Sequence, residues 1–187
     1  MFVGLSAPSA TARRHPGRGS IGLDAPGDAR VSAPASPPMT RPYCEITHVQ
    51  EFAASHRLHD TRLSDEENRR LYGICNSPNG HGHNWVVEVT VSGGVDRSGM
   101  VMDLNRLMSI VREKLVAPVD HLHMNHDVPF LEGVIPTAAA VPRASSGATE
   151  PSLREFEGCR LHRIRVRESR HNYVDYMGPT ASRRSPT

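Results

Sequence analysis

Cys75-Asn76-Ser77-Pro78-Asn79-Gly80-His81-Gly82-His83 runs directly into the apolar segment Asn84-Trp85-Val86-Val87-Glu88-Val89-Thr90-Val91. In an extended segment, histidines at i and i+2 project to one side of the strand, so the imidazoles of His81 and His83 can converge on one metal ion. Gly80 and Gly82 leave that approach uncrowded, and Pro78 and Asn79 supply a turn just upstream. Cys75 lies one turn back, close enough for its sulfur to reach the same pocket. A third ligand has to come from elsewhere, and His56 is the candidate. Phe52, Ala54 and His56 alternate as one face of a strand, which sets the imidazole among small neighbours. Three neutral imidazoles leave a fourth position for water or substrate, the pattern of a catalytic zinc site rather than a structural one. Spacing alone also fits a loop at His-Gly-His with an ordinary strand histidine at position 56.

Working outward, Tyr43 to Leu58 is expected to form a first strand. Ser64 then caps a short helix whose first turn carries Asp65, Glu66 and Glu67, with Gly73 ending it. The β-branched run from Trp85 to Gly93 is a second strand. After a turn over Gly93 to Gly99, Met100 to Met102 is expected to start a third. Asp103 can cap a helix with Leu104, Leu107, Met108, Val111 and Leu115 on its apolar stripe, stopped by Pro118. Asp120-His121, by itself, has the look of a surface turn. From Ile135 to Gly158 the prolines, serines and glycine are expected to prevent one long helix, leaving only a short one from Thr149 to Phe156. Leu161 to Glu168 and Tyr173 to Met177 are two further strands. Glu168 ends the row begun by Ile164 and Val166, either as a solvated strand end or as a buried functional group.

The chain has 187 residues and a net charge of +2, which suits one domain and calls for neither nucleic acid nor an anionic membrane. Cys44, Cys75 and Cys159 form no even set and no CxxC pair, so a reducing compartment, the cytoplasm, is expected rather than a disulfide framework. Residues 1–42 are dominated by Ala, Ser, Pro, Gly and Arg, and are expected to be a disordered leader. Arg13, Arg14 and Arg18 hint at organelle targeting, against which stand Asp24 and Asp28. Residues 43–178 are the expected domain and 179–187 a disordered tail. No apolar run approaches membrane-spanning length.

Several separated motifs resemble the 6-pyruvoyltetrahydropterin synthase family. They are Ala54-Ser55-His56-Arg57-Leu58, Leu63-Ser64-Asp65-Glu66-Glu67-Asn68, Cys75 to Asn84, Gly99-Met100-Val101-Met102-Asp103-Leu104, Asp120-His121, Asp127-Val128-Pro129 and Val166-Arg167-Glu168. The resemblance implies an α+β tunnelling fold (T-fold), an antiparallel sheet with helices on one face. Three such sheets would close a barrel, and two trimers would stack into a homohexamer. It implies Zn2+ on His56, His81 and His83, a proton-abstracting thiol at Cys75, and relay partners at Asp120, His121 and Glu168. In the family the Asp-His pair serves a neighbouring subunit's site. The implied reaction takes 7,8-dihydroneopterin triphosphate to 6-pyruvoyltetrahydropterin with loss of triphosphate, in tetrahydrobiopterin biosynthesis. The related 6-carboxytetrahydropterin synthase shares the zinc triad, but its segment between cysteine and His-Gly-His is typically shorter. Residues 136–160 depart from the family: an ungapped reading puts Ala139 where a glutamate grips the pterin ring, with Glu150 or Glu155 as substitutes. That departure leaves a non-catalytic zinc- or pterin-binding relative as the alternative. Cys75 as a fourth ligand in a closed site is a further one.

Overall fold

Alternating β-branched and aromatic residues produce the two long strands that carry the rest of the molecule. In the computed structural model, which describes residues 41–179, β1 spans Tyr43–His56 and β2 spans His81–Gly94. They pair antiparallel along their whole length, from Tyr43 opposite Gly94 to His56 opposite His81. β4 (Cys159–Arg167) pairs antiparallel with β2, and β5 (Tyr173–Tyr176) with β4. A two-residue strand, β3 (Leu122–His123), joins the outer edge of β1 in parallel, giving the order β3-β1-β2-β4-β5. The first strand therefore ends at His56 rather than Leu58, and the second starts four residues before Trp85. Extended pairing carries through Gly82, which sits opposite Ser55 without a side chain to place, and stops short of Gly80, whose φ is 69.

One sheet face is apolar. Phe52, Ala54, Trp85, Val87, Val89, Val91, Ile164 and Val166 are buried there, under α2 (Leu104–Val111) and α3 (Ala140–Leu153). The other face carries Glu88, which accepts from Arg167 at 2.8 Å, and Arg165, which forks onto Asp175 at 2.6 and 2.8 Å. Such alternation is what one buried and one polar face require.

Asp65–Tyr72 is the first helix, α1, and its start is as expected: Ser64 and Glu67 form a reciprocal capping box, with Gly73 at the C-cap. Asp103 caps α2 through the Asn105 N–H. Its buried face differs from the expected stripe. Leu107, Ile110 and Val111 are buried, followed by Leu115 and Val116 in a π turn over Arg112–Val116, whereas Leu104 and Met108 remain 59% and 43% exposed. Ile110 offers a competing ridge, and the extra residue of the π turn shifts the phase so that Val116 also turns inward. Met100 to Met102 forms no strand; it is an irregular bend with Met102 buried against the Cys159 thiol.

The larger correction lies between Ile135 and Gly158. A 14-residue helix, α3, occupies the segment expected to be broken, and Thr149 to Leu153 is only its last part. Pro142 falls in the first turn, where an N–H has no intrahelical partner, and Pro151 falls near the end. The side chains that mimicked a loop pack inward: Val141, Ser145, Thr149 and Leu153 are all buried, one helical turn apart. Ser145 and Thr149 return their hydroxyls to the Val141 and Ser145 carbonyls, so burial leaves them satisfied. The sheet keeps its cover. The expectations for residues 1–40 and 180–187 lie outside the described residues.

Candidate active site

The pairing register of β1 and β2 brings the three histidines together. His56 sits opposite His81, and Ala54 opposite His83, so all three imidazoles rise from the apolar side of the strands' ends. One ring nitrogen from each lies within 4.8 Å of the others. His56 is fully buried, and its Nδ1–H donates to the Pro136 carbonyl at 2.8 Å. A carbonyl only accepts, so the proton sits on Nδ1 and Nε2 turns a lone pair toward the cluster. Trp85 forms the floor, with its ring 5.1 Å from His56 and 5.4 Å from His83. The Trp85 N–H is tied to the Ala54 carbonyl, which fixes the indole.

Three ring nitrogens at this point, His56 Nε2, His81 Nδ1 and His83 Nε2, are buried without a hydrogen bond. Leaving a buried polar atom unpaired costs about 1–3 kcal/mol each, and three facing one another would be a poor design unless something fills the gap. Burial lowers the proton affinity of both His56 and His81 below the ordinary value of 6.5, and neighbouring histidines reinforce the shift. Neutral, convergent and unsatisfied imidazoles are the donor set of a transition-metal ion.

Cys75 is a free, half-buried thiol in the 3-10 turn Gly73–Asn76. Its carbonyl accepts from the Leu58 N–H at 2.9 Å, which anchors the turn just beyond His56. It is not in the three-donor cluster, so the geometry favours histidines alone as ligands. Glu168 stands beside the cluster, with Oε1 3.4 Å from His56 Nε2 and 3.6 Å from His83 Nε2. Asp120 and His121 form a separate pair at 3.0 Å, on a backbone where His121 has φ 60. The carboxylate of Asp120 also accepts the Ala53 N–H at 2.9 Å, and that bond, followed by the one from His121, holds its pKa below the usual carboxylate range. His121 lines a shallow groove with His83 and Ala54 of the same chain. Of the carboxylates considered in place of Ala139, Glu150 pairs with Arg154 at a different cavity and Glu155 is exposed. Ala139 itself is exposed, immediately before α3.

Residues 45–179 match the family model described as 6-pyruvoyl tetrahydropterin synthase. The chain belongs to that family. It is 43% identical over 137 residues to the 6-pyruvoyl tetrahydrobiopterin synthase of Poecilia reticulata, covering 71% of this chain and 89% of the relative. To the Homo sapiens protein of the same name it is 39% identical over 135 residues, covering 72% and 91%. The solved structure of Caenorhabditis elegans 6-pyruvoyl tetrahydropterin synthase superposes with a TM-score of 0.66 at 34% identity, over 75% of this chain and all of that one. The sheet with helices on one face is thus the T-fold of this enzyme family, open in the single chain.

Three asparagines, Asn68 in α1, Asn76 in the 3-10 turn and Asn125 in a loop, were given no role by sequence reasoning. Asn125 gives both ends of its amide to the Arg57 backbone, at 2.8 and 2.9 Å, replacing a strand partner. Asn68 is fully buried and bonds the backbone of Asp60, Leu63 and Ser64. Asn76 bonds the Leu58 carbonyl and His59. Asparagine in a polar stretch signals a turn and nothing more, so nothing local foretells the backbone bonds these three make. His59, His123 and His126, which gather beside Arg57, likewise carried no motif.

Proposed function

We propose that this chain is a zinc-dependent 6-pyruvoyltetrahydropterin synthase that converts 7,8-dihydroneopterin triphosphate to 6-pyruvoyltetrahydropterin and releases triphosphate. The observation that carries the reading is the set of three buried ring nitrogens without a hydrogen bond, in a member of this family. His56, His81 and His83 would hold the ion, which when bound supplies Lewis acidity toward the substrate's side-chain oxygens. Cys75 is the proton-abstracting base, presented by the turn that Leu58 anchors. Asp120 keeps the His121 ring oriented through its Nδ1–H, and His121 passes protons. Glu168, against two of the histidines, is the remaining proton acceptor. Acid–base assistance of this kind contributes about 10²–10⁴ in rate.

The family match to residues 45–179 supports 43–178 as the working domain, with 1–42 and 179–187 outside it. A homohexamer closes the sheet: among the described residues β3 covers only Ala54 and Ser55 of β1, and β5 leaves the opposite edge open. Three free thiols support a reducing, cytoplasmic setting, and no helix among the described residues is long and apolar enough to cross a membrane. The test is incubation of the purified protein with zinc and 7,8-dihydroneopterin triphosphate. Release of triphosphate with a diketo side chain is expected. A carboxylate product with acetaldehyde would replace this reading with the 6-carboxytetrahydropterin synthase reaction. Zinc binding with no turnover at any enzyme concentration would replace it with a binding protein.

A further inference from the structure

Beside the three-histidine cluster lies a cavity of about 590 Å³ whose walls are rich in arginine, histidine and other hydrogen-bond donors. Arg57, His59, Arg62, His123 and His126 line it. Its one carboxylate, Asp60, is already neutralised by the fork of Arg62, at 2.8 and 2.6 Å, which lowers its pKa to about 2. Arg57 differs. Its Nε is pinned to the Asn76 carbonyl at 3.2 Å, and among the described residues no carboxylate lies within ion-pair distance of it. A half-buried guanidinium held in place, with its terminal nitrogens unclaimed, is built to receive an anion.

The histidines point the same way. His59 Nδ1 faces the Asn76 side-chain N–H at 3.1 Å, and His123 Nδ1 faces the Asn125 backbone N–H at 3.3 Å. Both Nδ1 atoms accept, so both rings carry their proton on Nε2 and are donors there. His126 stacks on His123 with ring centroids 4.6 Å apart. The chain ties the cavity to the metal cluster: Arg57, on its wall, follows His56, and Gly80, against His123, precedes His81. A Cβ on Gly80 would meet the His56 carbonyl oxygen at 2.8 Å and His123 Nε2 at 2.9 Å.

The geometry points to this cavity as the seat of an oligophosphate, the tail of the substrate whose reacting carbons lie over the three histidines. Naming that tail a triphosphate rests on the proposed reaction; the preference for a polyanion does not. Arg57 binds and positions the leaving group, and the Nε2–H donors of His59 and His123 add directional bonds.

The probe is inorganic tripolyphosphate, titrated calorimetrically into the full chain with zinc bound, at low and moderate salt. The unsubstituted protein is expected to bind it in a salt-sensitive manner. Arg57→Met should weaken that binding about tenfold or more, while binding of phosphate-free neopterin is unchanged. The KM for the triphosphorylated substrate should rise with a smaller change in kcat. His59→Phe, which removes the Nε2–H donor, should weaken tripolyphosphate binding by about threefold to tenfold and serves if Arg57→Met fails to fold. Binding that both variants leave intact overturns the site, even if turnover is normal. Arg57-dependent binding by a protein that never turns over upholds the site and overturns the reaction instead.

Discussion

Asn68 shows how much one polar side chain decides here. It is fully buried and supplies the hydrogen bonds that the chain between β1 and α1 cannot make with itself. Asn68→Ala leaves the Asp60 N–H without a partner and should destabilise the protein by about 1–3 kcal/mol, measured by denaturant unfolding. Cys75→Ala touches no donor of the metal cluster. Metal content by elemental analysis should be unchanged while triphosphate release falls by about 10²-fold or more. His56 and His81 make stability pH-dependent, because burial depresses both below 6.5. Above that value the folded and unfolded chains are both neutral at these sites. As pH falls below it, the unfolded chain takes up protons that the folded chain refuses, so stability is lost until the lower folded values are passed. The metal-free protein should therefore melt at progressively lower temperature as pH drops below 6.5.

At the scale of elements, the junction of the turn with β2 is tightly packed. Gly80 has φ 69 and lies against the His56 carbonyl and His123. Gly80→Ala combines backbone strain with a clash into one metal ligand's main chain, and should lower both zinc affinity and thermal stability, read by competitive chelation and calorimetry. Gly147 is the opposite case. It lies inside α3 with nothing within 4 Å of an added Cβ. Gly147→Ala should stabilise the protein by about 0.5–1 kcal/mol, since alanine is the better helix former and the unfolded chain loses freedom. The same helix explains a failure of local reading. Pro, Ser, Thr and Gly lower helix propensity residue by residue, yet Val141, Ser145, Thr149 and Leu153 present a narrow inward stripe to β4 and α2. Packing outweighs propensities of under about 1 kcal/mol per ordinary residue.

At the scale of the whole molecule, the five-stranded sheet leaves both outer edges open among the described residues, and exposed Val49, Leu104, Met108 and Tyr173 are what the proposed homohexamer would cover. Light scattering at micromolar concentration should report a hexamer. If the Asp120-His121 pair serves a neighbouring subunit, mixing inactive Cys75→Ala and His121→Ala proteins through dissociation and reassembly restores part of the activity. If the pair serves its own chain, through the groove it shares with His83, mixing restores none.

β1, α1 with its capping box, the body of β2 and the candidacy of His56, His81 and His83 as ligands follow from order, period and spacing along the chain, while the α+β class is implied by the family resemblance. Local steric rules and the two-residue repeat of a strand are enough for those. Only the folded molecule decides that Ser145 and Thr149 face inward, that Met100 to Met102 bends, and that Glu168 comes to the histidine cluster. It also brings His59, Arg57 and His123 around one cavity. Those outcomes depend on contacts between segments tens of residues apart, where burial and hydrogen-bond satisfaction outweigh any preference a short window carries.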